Sequence, residues 1–242
     1  MKHVQDLLKT IPGSVRPALS ADELMLQAAE ISKKAAEQLA VEREQARLRR
    51  VGDFLSRSAV PMRYRSADLK SSCVNQDVAY QAGSDFVGGF PARLKTGAGM
   101  VIHGPVGTGK THLACAMANA LISQLRPVMY CTALEAVALI KASWRRGADV
   151  ESEFDIYARF AEPQLLIIDE IGVQVGSDFE RMVLTAIADV RSRNCLPTLA
   201  ISNLEPVRML ELLGDRLFDR LVGFGADVVH LPGVSLRSVG RV

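Results

Sequence analysis

Eight consecutive residues, Gly104-Pro105-Val106-Gly107-Thr108-Gly109-Lys110-Thr111, fit the pattern G-x-x-x-x-G-K-[ST] at every fixed position. The chemistry of that pattern is phosphate binding. Its glycines let backbone N–H groups turn inward around phosphate oxygens, and a helix opening at its end adds a favourable dipole. Lys110 is placed to reach the β- and γ-phosphates of ATP, and the Thr111 hydroxyl to ligate Mg²⁺. His112 follows directly and belongs to the same cofactor-binding stretch. The context is the one the mechanism needs. The apolar segment "GMVIHG" precedes the loop as a strand, and a helix is expected from about Thr111 to Leu125.

A second constellation is Leu165-Leu166-Ile167-Ile168-Asp169-Glu170. An apolar strand ending in Asp places a carboxylate beside the phosphate loop, where it can hold Mg²⁺. Strand alternation would turn the next residue, Glu170, away from Asp169, which makes Glu170 the candidate base that polarises the attacking water. A Glu directly after the Asp argues for hydrolysis over transfer to a small acceptor. Asn203 ends the apolar segment "TLAISN", where a side-chain amide could orient that water; Asn at a strand end is also a common turn former. Arg216 and Arg220 lie four apart in "LLGDRLFDRL", on one helical face, each directly after an Asp. They read either as a salt-bridged surface helix or as an arginine finger serving a neighbouring subunit's γ-phosphate.

These residues need a scaffold. From Gly99 onward apolar strand segments ("GMVIHG", "PVMYC", "PQLLIIDE", "PTLAIS", "DVVHL") alternate with helical ones. Such alternation implies an α/β fold with a parallel sheet flanked by helices, and the unbroken apolar run before Asp169 is what a strand covered on both faces requires. Thr132 and Glu135 form a capping box for one helix, and another helix is expected from about Asp178 to Arg193. Upstream, residues 20–50 read as one long helix opened by a Ser20/Glu23 capping box. Leu24, Ala28, Ile31, Ala35 and Leu39 form its apolar stripe, which packs either on the chain's own N-terminal segment or on a partner helix. "SRSAVPMRYRSADLKSS" breaks the periodicity, and Asp77 to Phe90 reads as a further helix ended by Gly88, Gly89 and Pro91. The expected organisation is a small helical N-terminal domain (1–59), a linker (60–75) and an ATPase domain (76–242).

Composition excludes several classes. Charged residues are 23% of 242 and the net charge is only +2, so no global basic field marks a nucleic-acid partner. The charge is local: Arg43 to Arg65 carries seven basic and two acidic residues. The four cysteines are scattered without C-x-x-C spacing, which argues against a zinc site built from them and for a reducing compartment. With no long apolar run, a cytoplasmic protein without membrane contact is expected.

Taken in order, "VPMRYRSADL", "GPVGTGKTHLA", "LLIIDEIG", "LAISN" and "LGDRLFDRL" resemble the DnaC-type bacterial replicative helicase loaders of the AAA+ ATPases, particularly versions found in phages and prophages. The resemblance covers nearly the whole chain, and the IstB-like transposition helpers, which bind duplex DNA, share much of the pattern. It implies that Lys110 and Thr111 are Walker A, Asp169 and Glu170 Walker B, and Asn203 sensor 1. It implies that Arg220, with Arg216 close behind, is the arginine finger and that Arg237 is sensor 2. It further implies an N-terminal domain that grips a DnaB-like hexameric replicative helicase, self-association through the AAA+ domains, and contact with single-stranded DNA. For that last contact it points to the helix carrying Trp144, the only tryptophan, beside Arg145 and Arg146. A base can stack on Trp while Arg meets phosphate. Alternatively, the two cations complement a helix C-terminus and the indole packs on the domain.

Overall fold

Five parallel strands, β1 (Met100–His103), β2 (Val128–Thr132), β3 (Leu165–Ile171), β4 (Thr198–Ser202) and β5 (Asp227–His230), form one sheet in the order β2-β3-β4-β1-β5. This is a computed structural model, and it describes residues 21–69, 77–144, 151–173 and 177–233; side chains of 21–32, 35 and 77 are outside the description. The expected fold class, a parallel sheet flanked by helices, is the one observed. The helices are α1 (Ala21–Arg57), α2 (Asp77–Gly88), α3 (Phe90–Thr96), α4 (Lys110–Ser123), α5 (Ala133–Ser143), α6 (Glu153–Phe160), α7 (Asp178–Arg193), α8 (Pro206–Leu213) and α9 (Asp215–Val222). The chain divides into two compact units, residues 1–48 and 49–242, and the division falls within α1.

Strand alternation sorts the core onto two faces. Met100, Ile102, Leu165, Ile167, Leu199 and Ile201 point one way and join Phe86 of α2 and Leu113, Met117 and Leu121 of α4. Val101, Leu166, Ile168 and Ala200 point the other way, onto Ile140 of α5, Phe160 of α6, Leu184 and Ile187 of α7, and Leu217 of α9. Burying each of these large aliphatic side chains contributes about 1.5–3 kcal/mol. Because both faces are covered, the strands are apolar throughout.

Local sequence explains the boundaries. The Thr132/Glu135 capping box is formed at the start of α5, and an equivalent Ser177/Glu180 box opens α7. The helix expected over 77–90 divides at Gly89. Pro91 starts α3 instead of ending α2, since proline is tolerated where a helix has no intrahelical N–H to satisfy. The stretch expected to break the chain after α1 is packed over its described part, up to residue 69: Val60 and Ala67 are buried, a 3-10 turn covers Met62–Tyr64, and the Asn119 amide donates to the carbonyls of Tyr64 (2.9 Å) and Ala67 (2.8 Å). The Ser20/Glu23 box lies outside the described residues. Of the apolar stripe on α1, the described Leu39 is exposed.

Fully buried Arg191 of α7 ties the loops on the far side of the sheet from the phosphate loop. It donates to Thr198 Oγ1 (3.1 Å) and to the carbonyls of Phe160 (2.7 Å), Pro163 (3.0 Å), Gln164 (3.3 Å) and Pro197 (2.7 Å).

Candidate nucleotide site

In a parallel sheet the C-terminal ends of all strands lie at one edge, and ligands bind there. The order β3-β4-β1 brings the ends of three strands together: Asp169 and Glu170 from β3, Asn203 just beyond β4, and the glycine loop after β1. A cleft of about 310 Å³ opens at this edge, lined by Gly107, Gly109, Lys110, Thr111, His112, Asp169, Glu170 and Asn203, among others. That size lies within the range of small-molecule sites.

The loop is built by backbone geometry. Gly104, Gly107 and Gly109 all have positive φ (140°, 85° and 95°). Gly104 is required for a reason other than phosphate: a Cβ there would lie 2.3 Å from the Leu231 carbonyl oxygen, where the chain follows β5. Thr108 is buried, and its hydroxyl donates to the Pro105 carbonyl at 3.0 Å, which closes the loop. Lys110 is 6% exposed, and its ammonium donates to the carbonyls of Gly104 (2.8 Å) and Pro105 (2.6 Å), so the charge is held within the loop. Val106 is exposed at the tip.

Asp169 is 4% exposed and both of its carboxylate oxygens accept hydrogen bonds. One oxygen accepts from Thr111 Oγ1 (2.7 Å) and from the Tyr130 hydroxyl (2.8 Å); the other accepts from the Glu170 N–H (2.7 Å). A hydroxyl and a carboxylate in contact are an all-oxygen donor set suited to a hard cation such as Mg²⁺, so the residues present fit the expected ion. Burial, and then the Asp169 carboxylate, push the Tyr130 phenol above its ordinary range, so it stays a donor.

Glu170 departs from strand alternation. Its φ is +59°, and β3 carries one extra residue against β4 between Ile168 and Ile171. This is a β-bulge, which re-aims side chains beside functional sites. It leaves Glu170 exposed and lining the cleft together with Asp169. The geometric reason for its placement is therefore the bulge and not simple alternation. Asn203 is exposed at the same cleft.

Arg216 and Arg220 are not among the residues lining this cleft. Both reach from α9 to Asp189 of α7: Arg216 Nη2 pairs with one carboxylate oxygen, and Arg220 Nε with the other at 2.9 Å. Burial opposes the Asp189 charge, but hydrogen bonds from Arg220 and Arg216 outweigh it and hold its carboxyl below the usual range. Arg220 also contacts Asp219 at 3.2 Å. The two arginines thus line a separate surface with Phe154, Tyr157 and Arg193.

Trp144 ends α5 and is 57% exposed. Its indole N–H donates to Glu153 (3.2 Å), and its ring lies 4.9 Å from that of Phe179. The ring is thus packed on one side and accessible on the other. Arg145, Arg146 and Arg237 lie outside the described residues.

Sequence reasoning missed Tyr130, Asp189, Arg63 and Tyr64. Arg63 and Tyr64 line the cleft, and the Tyr64 ring stacks on His112 with centroids 5.9 Å apart. His103, at the end of β1, is buried. Burial, opposed by Glu205, pushes its pKa down.

The model of the IstB-like ATP-binding proteins matches residues 18–241. The chain belongs to the IstB-like ATP-binding family. The replicative helicase loader DnaC of Escherichia coli K12 is 30% identical over 228 residues, covering 91% of this chain and 90% of that one. The DnaC of Buchnera aphidicola from Schizaphis graminum is 27% identical over 219 residues, covering 89% of this chain and 86% of the relative. Among solved structures, the DnaC helicase loader superposes with a TM-score of 0.62 at 20% identity, over 71% of this chain and 99% of that one. The IstB-like chain therefore has the AAA+ fold, and it is an ATP-binding type by family. Among the described residues no helix is long and apolar enough to cross a membrane.

Proposed function

We propose that this chain is an ATP-dependent loader of a hexameric, DnaB-like replicative helicase, depositing the ring on single-stranded DNA. The observation that carries this reading is the similarity to DnaC at 30% identity along 91% of the chain, which extends beyond the nucleotide-binding residues. Residues 1–59 grip the helicase, and residues 76–242 bind and hydrolyse ATP and self-associate.

In this reading the triphosphate lies in the cleft. Backbone N–H groups of residues 106–111 and the Lys110 ammonium hold its phosphates. Arg63, Tyr64 and His112 line the cleft beside the loop and support the base end. Thr111 and Asp169 hold Mg²⁺, which when bound neutralises charge on the phosphate oxygens. Glu170 accepts a proton from the attacking water as its oxygen bonds to the γ-phosphorus and the bond to ADP breaks. Asn203 orients that water. Arg220 from a neighbouring subunit, supported by Arg216, stabilises charge on the transferring phosphoryl group. The position of the pair on a surface apart from the chain's own cleft supports an action in trans. Trp144, with Arg145 and Arg146, contacts single-stranded DNA, and Arg237 acts as sensor 2. ATP does work here only by favouring one arrangement of loader, helicase and DNA over another.

The test is light scattering after gel filtration of the full chain with the replicative hexameric helicase of the same cell, with ATP, and of a variant lacking residues 1–59. A discrete complex lost on truncation is expected. Absence of any complex, with ATP binding intact, would reject the loader in favour of a transposition helper. That alternative predicts tight duplex-DNA binding without helicase contact.

A further inference from the structure

A second polar cluster lies at the same edge of the sheet and takes no part in the scheme above. His103 ends β1, immediately before Gly104. His230 ends β5 and is its register partner. Glu205 occupies the N-cap position of α8, two residues beyond Asn203, and makes no side-chain capping bond there. His103 Nδ1 lies 3.3 Å from one Glu205 oxygen, and His230 Nε2 lies 3.8 Å from the other. The two imidazoles stack, with centroids 4.8 Å apart and planes 15° from parallel. One ligand atom from each of the three residues falls within 4.8 Å of the other two.

The buried member makes this more than a surface pairing. His103 is 5% exposed, and its Nδ1 is one of two buried side-chain polar atoms without a hydrogen-bond partner among the described residues. A buried polar nitrogen left so is costly. It is held beside Glu205 in a fixed position, since strands on both sides hold β1.

We propose that His103, Glu205 and His230 bind a borderline divalent transition-metal ion of the zinc class, separate from the Mg²⁺ position at Thr111 and Asp169. Two imidazoles and one carboxylate are the donor set such ions take with a further position open. It is a poor set for Mg²⁺, which prefers oxygen donors and retains its waters. A tetrahedral ion at about 2.0–2.1 Å from each ligand needs ligand atoms about 3.3 Å apart. The His103–Glu205 separation already meets that. The His230 side must close by a fraction of an ångström or more. It is free to do so, because the His230 and Glu205 side chains are 48% and 62% exposed. The same exposure gives the ion a path from solvent. A bound ion would tie three segments together: the chain just before the phosphate loop, the end of β5, and the turn after Asn203.

The test titrates the full chain, freed of metal by chelation, with Co²⁺ and then Zn²⁺ under saturating Mg²⁺, following visible Co²⁺ absorption and the melting temperature. One ion per chain is expected, with Zn²⁺ displacing Co²⁺ and raising the melting temperature. His230→Ala and Glu205→Gln should each weaken Co²⁺ binding by roughly 10-fold or more, while Cys195→Ser, which removes a partly exposed thiol, should leave it unchanged. Both ligand substitutions are at exposed side chains, and retained ATP binding would show that each variant is folded. A chain that takes up no Co²⁺ at millimolar concentration would overturn the proposal. So would uptake that both ligand variants retain at parental affinity. Neither result tests the loader reading, which is read out separately by complex formation with the helicase.

Discussion

Tyr130 donates its phenolic hydrogen to the Asp169 oxygen that also accepts from Thr111, at 2.8 and 2.7 Å. One carboxylate oxygen thereby links β2, β3 and the first turn of α4. The register explains it: Thr132 pairs with Asp169, so Tyr130 lies two residues back on the neighbouring strand with its ring directed along the sheet toward the site.

In the proposed scheme Tyr130 is a positioning residue for the cation ligand Asp169. Tyr130→Phe keeps the buried ring and removes the donor. The Mg²⁺ concentration giving half-maximal ATP hydrolysis should rise about 10-fold or more, with the rate at saturating Mg²⁺ changed far less. A Mg²⁺ titration of steady-state hydrolysis checks this. An unchanged midpoint would remove Tyr130 from the site.

If Arg220 acts in a neighbour's site, the defect of one subunit can be complemented by another. Arg220→Ala alone should lower hydrolysis by ~10³ or more, and Lys110→Ala alone should abolish nucleotide binding. Mixing the two inactive proteins should restore part of the activity, because some junctions then combine an intact cleft with an intact arginine. Mixtures no more active than either component would place the arginine function within one chain.

Asp189 carries a pH signature. Its folded carboxyl is held below the ordinary value of 3.8, against burial and by the two arginines, so the unfolded chain binds more protons in acid. The stability it contributes is complete above that ordinary value and is lost as pH falls through the depressed folded one. Asp189→Asn should be less stable than the parent at neutral pH and should approach it in acid. Thermal melts across that range check the convergence; a constant gap between the two proteins would contradict it.

Arg191 answers four backbone carbonyls and one hydroxyl, and among the described residues no carboxylate pairs with it. Arg191→Met fills much of the volume but strands those acceptors. With each buried unsatisfied group costing about 1–3 kcal/mol, a loss of at least about 3 kcal/mol is expected in urea unfolding. A loss under about 1 kcal/mol would mean that water replaces the guanidinium without strain.

The parts of the site that are local in sequence are legible in the residues themselves. The phosphate loop, the strand ending at Asp169 and Glu170, and the strand ending at Asn203 each announce themselves within a short stretch, because their chemistry and their fold signal occupy the same segment. Tyr130, Asp189 and Arg191 carry no such mark. Each acquires its role from an element far away in sequence, across a strand pair or a helix pair, and an aromatic residue in a strand or a charge in an amphipathic helix is ordinary in isolation. Glu170 falls between these cases. Its identity is legible, but its direction is not, since the extra residue in β3 becomes visible only against the register of β4. Pro91 shows the same limit at a boundary: the pattern marks a break, while the side on which the helix resumes depends on Phe90 packing into the core.

The central claim is that ATP turnover by this chain places a closed helicase ring on single-stranded DNA. The most direct measurement follows transfer of the purified hexameric helicase onto closed circular single-stranded DNA, where no end is available for threading. Parent chain with ATP should yield DNA-bound helicase that then unwinds an annealed strand. Glu170→Gln should deliver a helicase–loader complex to the circle but lower unwinding by roughly 10²-fold or more, because the proposed proton acceptor for hydrolysis is gone. Helicase loading that is equally efficient without the chain, or with Lys110→Ala in its place, would contradict the account.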